Sequence, residues 1–418
     1  MKRGAAGVVV ALLMGLFPPS DGWALPEPDE RAAIQDLLDR RARAFLDRDR
    51  AAFLATIDEG SSAFRDRQKR LFDLSEPIPF ADYQLVADWS RYGDLARRRD
   101  VARYPGASAV LLPLTQERYR IRGFDDEPAI EDAFYTFVER NGEWFIGDDT
   151  DLDDIGLLTV RHPWDFGSLV TIRSKHFLAL GPACTGDGAL CADRNLLDIA
   201  EEALRRTNAT WSVPWRNKVV LVVPPSDEAL QRMLQATFDA AKFVAFAYST
   251  IDPESLGYTG DRIIVNPSVI AGRPRSDVVT IMAHELLHIA TRDASGPFVP
   301  LFADEGLAEV AGYGDLPGLA YFDAIVAGGA FDNKLPEDFQ FSTGSGNEIY
   351  LSYQEAQSAV RYFIDRWGRD RFIRFYRRLG RARVTEGLAT WHVERALQRT
   401  IGMGLRGFEK AWASSITS

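Results

Sequence analysis

Apolar residues at Ile34, Leu37, Leu38, Ala42, Phe45 and Leu46 recur three and four positions apart among charged neighbours, which predicts an amphipathic helix within residues 30–60. Further on the period shortens. Residues 109–119 run apolar and then alternate, residues 130–138 are rich in Phe and Tyr, and Asn141-Gly142 separates that run from Glu143-Trp-Phe-Ile146. Asn-Gly between two such runs signals a hairpin, because both turn residues need positive φ. Helices followed by a curved antiparallel sheet make an α+β unit, placed at residues 25–150. A second unit, residues 169–418, is expected to hold strands at 169–180, 218–223, 243–248 and 262–266. A helix falls at 195–207, and the chain is largely helical from Ser276 onward. The fold class expected is therefore α+β in two domains. Residues 151–168 between them follow a run of carboxylates (Asp148, Asp149, Asp151, Asp153, Asp154). They read as a solvated acidic linker, since the spacing lacks the glycine and terminal glutamate of an EF-hand calcium loop.

A length of 418 residues fits two or three domains at about 100–200 residues each. The formal charge of -11, with no long basic run, argues against a nucleic-acid partner, which would require a cationic surface. Lys2 and Arg3 precede an apolar run at residues 8–17, and Gly22-Trp-Ala24 places small residues where a signal peptidase reads. Residues 1–24 are thus expected to be a signal peptide, and the destination secreted, periplasmic or cell-envelope. The run is shorter than the roughly 20 residues that span a bilayer, and no other segment offers a span, so no transmembrane helix is expected in the mature chain. Cys184 and Cys191, the only cysteines, lie in a glycine-rich loop and are expected to form a disulfide.

The chemistry concentrates in one stretch. Val278, Ile281, Met282, Leu286 and Ile289 make an apolar stripe on a helix that Ser276 would cap and whose positive end Asp277 would suit. On that helix His284 and His288 are four apart and project one turn above each other, where both imidazoles reach one ion. Glu285 stands about 100° around the helix, beside such an ion and not bound to it. An apolar helix makes uncompensated His and Glu costly, and the chain has only 5 His, so chance is a poor explanation. Residues 300–313 start a second amphipathic helix carrying Asp304, Glu305 and Glu309. Catalytic zinc takes three protein ligands and keeps one position open, and two His with one Glu is an established set.

His-Glu-Leu-Leu-His at 284–288 and Asp-Glu-Gly-Leu-Ala-Glu at 304–309 resemble the two zinc motifs of the gluzincin metallopeptidases, most closely the peptidase-MA-like branch. The resemblance covers about residues 169–418. It implies a zincin-like domain holding one Zn2+ per chain on His284, His288 and Glu305. It further implies Glu285 as catalytic base, and Glu309 as the carboxylate that orients a ligand histidine. A tyrosine on a later helix would stabilise the oxyanion; Tyr353 is the candidate and Tyr350 its rival. Peptides or proteins would be the substrates. The aminopeptidase segment Gly-x-Met-Glu-Asn is absent, and residues 262–266 stand in its place as an expected edge strand for extended substrate, which favours an endopeptidase. The N-terminal unit resembles the nuclear-transport-factor-2-like (SnoaL-like) cone. Its expected role is docking or ligand binding, since it lacks any His. The competing reading is a non-catalytic binding protein on a zincin scaffold. His162 and His176 are expected to be structural; His392 could face the cleft, although nothing in its spacing says so.

Overall fold

The computed structural model describes residues 25–91, 103–185, 191–235, 244–255, 257–292, 294, 299–314, 319–381 and 389–417. The signal-peptide expectation falls on residues 1–24, outside them. The fold is mixed α/β.

The helix expected within 30–60 is two helices. α1 (Pro28–Leu46) buries Ile34, Leu37, Leu38 and Phe45. The chain then reverses through Arg48 at φ 59°, and Asp49 caps α2 (Arg50–Ala55) by accepting from the Ala52 N–H. α3 (Ser62–Leu74) and β1 (Phe80–Asp88) follow; neither was expected from the pattern. The apolar run at 109–119 splits into β2 (Ala109–Leu111) and β3 (Leu114–Ile121), which enter different sheets. Pro113 lies at the break and cannot donate to a ladder. The next run likewise divides into β4 (Ala129–Ala133) and β5 (Thr136–Arg140). β5 and β6 (Glu143–Asp148) form the hairpin at Asn141-Gly142, with φ of 52° and 81°, the left-handed pair the turn needs. Two three-stranded antiparallel sheets result, ordered β1-β3-β4 and β2-β5-β6.

The third sheet has five strands. β7 (Val170–Arg173) and β8 (Phe177–Gly181) pair antiparallel. α4 (Arg194–Thr210) leads to β9 (Val219–Val222), and α5 (Asp227–Met233) precedes the β10 (Ala245–Ile251) and β11 (Tyr258–Val265) pair. The order is β10-β11-β9-β8-β7, with β8-β9 and β9-β11 parallel. Side chains alternate across it. Phe177, Ala179, Val219, Leu221, Ile263 and Val265 pack with α4 and α7 (Arg275–Arg292), whereas Leu178, Leu180, Val220, Val222, Phe246 and Ile264 share one core with Phe45, Tyr83, Tyr119 and Trp164. Residues 262–265 therefore fall in β11, inside the sheet, and Asn266 caps the helix that follows. Because β11 pairs with β9 on one side and β10 on the other, the edge on that side is β10.

The stretch 151–168 is not solvated throughout. Leu152, Val160, His162 and Trp164 are buried. Asp149 is held by Arg67 and Arg161, and Asp151 by Arg103 and Thr136. Of the carboxylates that suggested a linker, Asp148, Asp149 and Asp151 are thus engaged in ion pairs and hydrogen bonds. Asp125 and Arg262, both buried, form a two-pronged ion pair with each contact at 2.7 Å that ties the β3–β4 turn to β11.

The remaining elements are helical: α6 (Pro267–Ile270), α7, α8 (Leu301–Tyr313), α9 (Ala320–Ala327), α10 (Gly346–Trp367), α11 (Arg369–Gly380), α12 (Ala389–Ile401) and α13 (Leu405–Thr417). Their core centres on Trp412, Tyr376, Phe363 and Phe322. No helix among the described residues is long and apolar enough to cross a membrane.

Cys184 and Cys191 form a disulfide, with their Cα atoms 5.2 Å apart. Closing so short a loop lowers chain entropy in the unfolded state by about 2.5 kcal/mol at room temperature. Cys184→Ser combined with Cys191→Ser is expected to reduce unfolding free energy by that amount in a denaturant titration.

Candidate metal centre

α7 begins at Arg275, so Ser276 lies in its first turn and not at the cap; the Pro274 carbonyl accepts from the Asp277 and Val278 N–H groups instead. The helix is buried from Met282 to Arg292, wedged between α4 and α8. Both imidazoles consequently face protein and not water.

The three ligand atoms meet. His284 Nε2 lies 3.2 Å from His288 Nε2 and 3.2 Å from Glu305 Oε2, and His288 Nε2 lies 3.5 Å from the same oxygen. A tetrahedral ion with bonds of about 2.0–2.1 Å has ligand–ligand edges of about 3.3–3.4 Å, so this triangle has the size of one face of such a site. Both Glu305 oxygens are sealed from solvent without a hydrogen-bond donor, and the residue is 0% exposed. A buried carboxylate left so is costly unless a cation sits before it. The group could therefore hold a metal ion.

Each outer ring nitrogen faces a carboxylate, that of His288 within ion-pair distance but without hydrogen-bond geometry. His284 Nδ1 lies 3.0 Å from Glu309 Oε1, and His288 Nδ1 lies 3.2 Å from Asp304 Oδ2. Each carboxylate orients a ring and raises the basicity of the nitrogen that faces the centre. Burial disfavours a charged His284, but Glu305 and Glu309 outweigh it and push its pKa up to about 10. His288 is raised in the same way, burial being overcome by Asp304 and Glu305. Burial would raise Glu305, but His288 and His284 hold it down to about 2. Three carboxylates around two imidazoles thus call for positive charge in the pocket.

Glu285 points elsewhere. Its Oε2 accepts the Ala247 N–H from edge strand β10 at 2.8 Å, and burial pushes its pKa up to about 7. Arg292, one turn beyond His288, donates to the Ala247 carbonyl at 2.8 Å and to Asp261 at 2.7 Å, fastening α7 to β10. The register, in which Val244 accepts from Asn266, puts the backbone groups of Ala245 on the same outer side as those of Ala247.

A cavity of about 150 Å³ opens beside the centre, lined by His284, Glu285, Glu309, Ala245, Tyr350 and Tyr353 among others. The Tyr353 ring centroid lies 6.3 Å from that of His284. Tyr350 stacks on Tyr321, and its hydroxyl accepts from Gln354 at 2.8 Å. Both tyrosines named from the sequence thus reach the cavity, Tyr353 against the histidine ring.

α8 carries Glu305 past α10 at Gly306, where an added Cβ would lie 2.6 Å from the Ala356 carbonyl oxygen, and past α7 at Gly312, where it would lie 2.8 Å from that of Thr280. Sequence reasoning missed the part of Asp304, whose oxygen is also hydrogen-bonded to the Tyr376 hydroxyl. Its position beside Glu305 was the available signal. Arg292 and the Ala247 N–H were missed as well, and no sequence pattern marks them. His162 pairs with Glu117 and stacks on Trp164; His176 pairs with Glu201. Neither lines this cavity, nor does His392.

Comparison with protein-family models and with curated proteins finds no match for this chain.

Proposed function

We propose that this chain is an exported zinc-dependent peptidase of the gluzincin class, peptidase-MA-like, acting on peptides or proteins as an endopeptidase. The observation that carries the reading is the triangle of His284, His288 and Glu305, at 3.2–3.5 Å edges, with Glu285 in the adjoining cavity. Residues 169–418 would form the peptidase domain and residues 25–150 a nuclear-transport-factor-2-like domain that docks substrate or ligand. The disulfide agrees with an oxidising destination outside the cytoplasm.

His284, His288 and Glu305 would hold the ion, with Glu309 and Asp304 fixing the rings. When bound, zinc supplies a Lewis acid that polarises a carbonyl and acidifies water towards a pKa of about 7. The chain's own residues do the rest. Glu285, steadied by the Ala247 N–H, accepts the proton of the attacking water and delivers it to the departing amine. The Tyr353 hydroxyl donates to the developing oxyanion. The outward backbone of Ala245, on β10 beside the cavity, offers an extended peptide a strand to pair with, which favours internal bonds of a chain over its terminus.

Purified protein is expected to contain one zinc per chain by elemental analysis, and His288→Ala to lose most of it. Incubation with a proteome-derived peptide mixture should yield cleaved bonds that disappear with a chelator. Bound zinc with no cleavage in any such mixture would instead favour a binding protein on the same scaffold.

A further inference from the structure

α11 and α12 pack side by side, and their exposed faces carry a dense set of arginines. Arg374, Arg377, Arg378 and Arg381 recur three to four apart on and just after α11, while Arg395 and Arg399 are one turn apart on α12. All six line a single groove of about 530 Å³, with Trp391 at its rim. Trp391 is 50% exposed and carries the Arg395 guanidinium 5.0 Å from its ring centroid.

Several arginines elsewhere in this chain are paired: Arg50 with Asp73, Arg140 with Asp58, Arg161 with Asp149, Arg262 with Asp125. None of the six in the groove forms an ion pair among the described residues, although the chain carries 60 acidic against 49 basic residues. The Nε of Arg377 is sealed from water and has no hydrogen-bond partner. Six like charges lining one concavity repel each other, and a bound counter-charge relieves that repulsion. The arrangement makes sense when an anion enters.

We infer that this groove is a binding site for ligands bearing clustered phosphoryl groups, separate from the metal centre. A guanidinium presents a planar fork that takes two oxygens at once, and a phosphoryl group offers a tetrahedral set of oxygens to several forks together, where a single carboxylate is filled by one. The volume suits a compact ligand, within the range of about 300–1,000 Å³ of small-molecule sites. A duplex nucleic acid would need a broad cationic face, which a chain of net charge -11 does not supply. The half-exposed Trp391 adds an apolar ledge beside the charges, as suits a phosphate attached to an organic body. Two sources share this chemistry: a soluble polyphosphorylated molecule and the headgroup of an anionic phospholipid.

The test uses the full chain and two probes, inorganic pyrophosphate by calorimetry and flotation with vesicles of phosphatidylglycerol mixed with phosphatidylcholine. Pyrophosphate is expected to bind saturably, more weakly as salt rises. Arg377→Gln combined with Arg395→Gln should weaken it by about tenfold or more without lowering the melting temperature of the anion-free protein. Arg377→Lys with Arg395→Lys keeps the charge and loses the forks, and should fall between the two. Flotation that pyrophosphate competes away identifies a lipid headgroup as source; pyrophosphate binding without flotation identifies a soluble one. The inference is overturned if neither probe binds, or if the glutamine variant binds both as the parent does.

Discussion

On the proposed zinc-peptidase reading, Glu285→Gln is expected to leave one zinc ion per chain in place and to lower peptide hydrolysis by about a thousandfold, in the middle of the range for a lost general base. The exchange keeps the size and shape of the side chain. Its amide oxygen can still accept the Ala247 N–H that now meets Oε2 at 2.8 Å, so β10 and α7 need not move. What disappears is the ability to take a proton. The ligand triangle does not include Glu285, and zinc content measured on the same preparation separates a catalytic loss from a metal loss. Full hydrolysis by the zinc-loaded variant would remove Glu285 from the mechanism; lost zinc would show that it supports the site structurally.

The second large effect concerns stability. Asp125→Ala should lower the unfolding free energy by about 4 kcal/mol, the cost typical of stranding one member of a buried ion pair. Arg262 is 5% exposed, lies over the Tyr119 ring, and has both terminal nitrogens on Asp125 at 2.7 Å. Asp125 also accepts the Ile121 N–H at 2.7 Å, so its removal unties the turn that presents it. Asp125→Ala combined with Arg262→Met should recover much of the loss, since an apolar pair of similar volume needs no desolvation of charge. The shared core of Phe45, Tyr119 and Trp164 with Leu178 and Val222 argues that the parent unfolds in one transition under denaturant. A loss below about 1 kcal/mol for the single substitution would mean that the pair does not join the β3–β4 turn to β11 in solution.

How much of this could be read beforehand follows from which forces are local. His284, Glu285 and His288 lie within one helical turn, so their relative directions follow from helix geometry alone. Glu305 sits on another helix and came in through resemblance to a motif; its distance to the two rings depends on how α8 packs, which no spacing encodes. The Asn141-Gly142 hairpin was legible because its two φ values are properties of those residues. Strand order was not: β11 looked like an edge until β10 and β9 were found on its two sides, and that choice is made by pairing across long loops. The aspartates after residue 147 misled for a related reason. Their partners Arg67, Arg103 and Arg161 are supplied mostly from elsewhere in the chain, and composition shows the charges without the pairs. Residues 30–60 are largely helical as expected, with a break at Arg48, where the charged run 47–50 interrupts the apolar spacing and the backbone turns left-handed.

At Gly306 the missing side chain permits a close helix crossing. The two helices touch there almost main chain to main chain, with room for a hydrogen and none for a methyl. Glu305 hangs from the very next link, so the height of its carboxylate is gauged by that contact. Coordination bonds tolerate errors of about 0.2 Å, less than the shift any bulkier residue would impose on the crossing. The calibre of a metal pocket would then be set by an atom that never sees the metal.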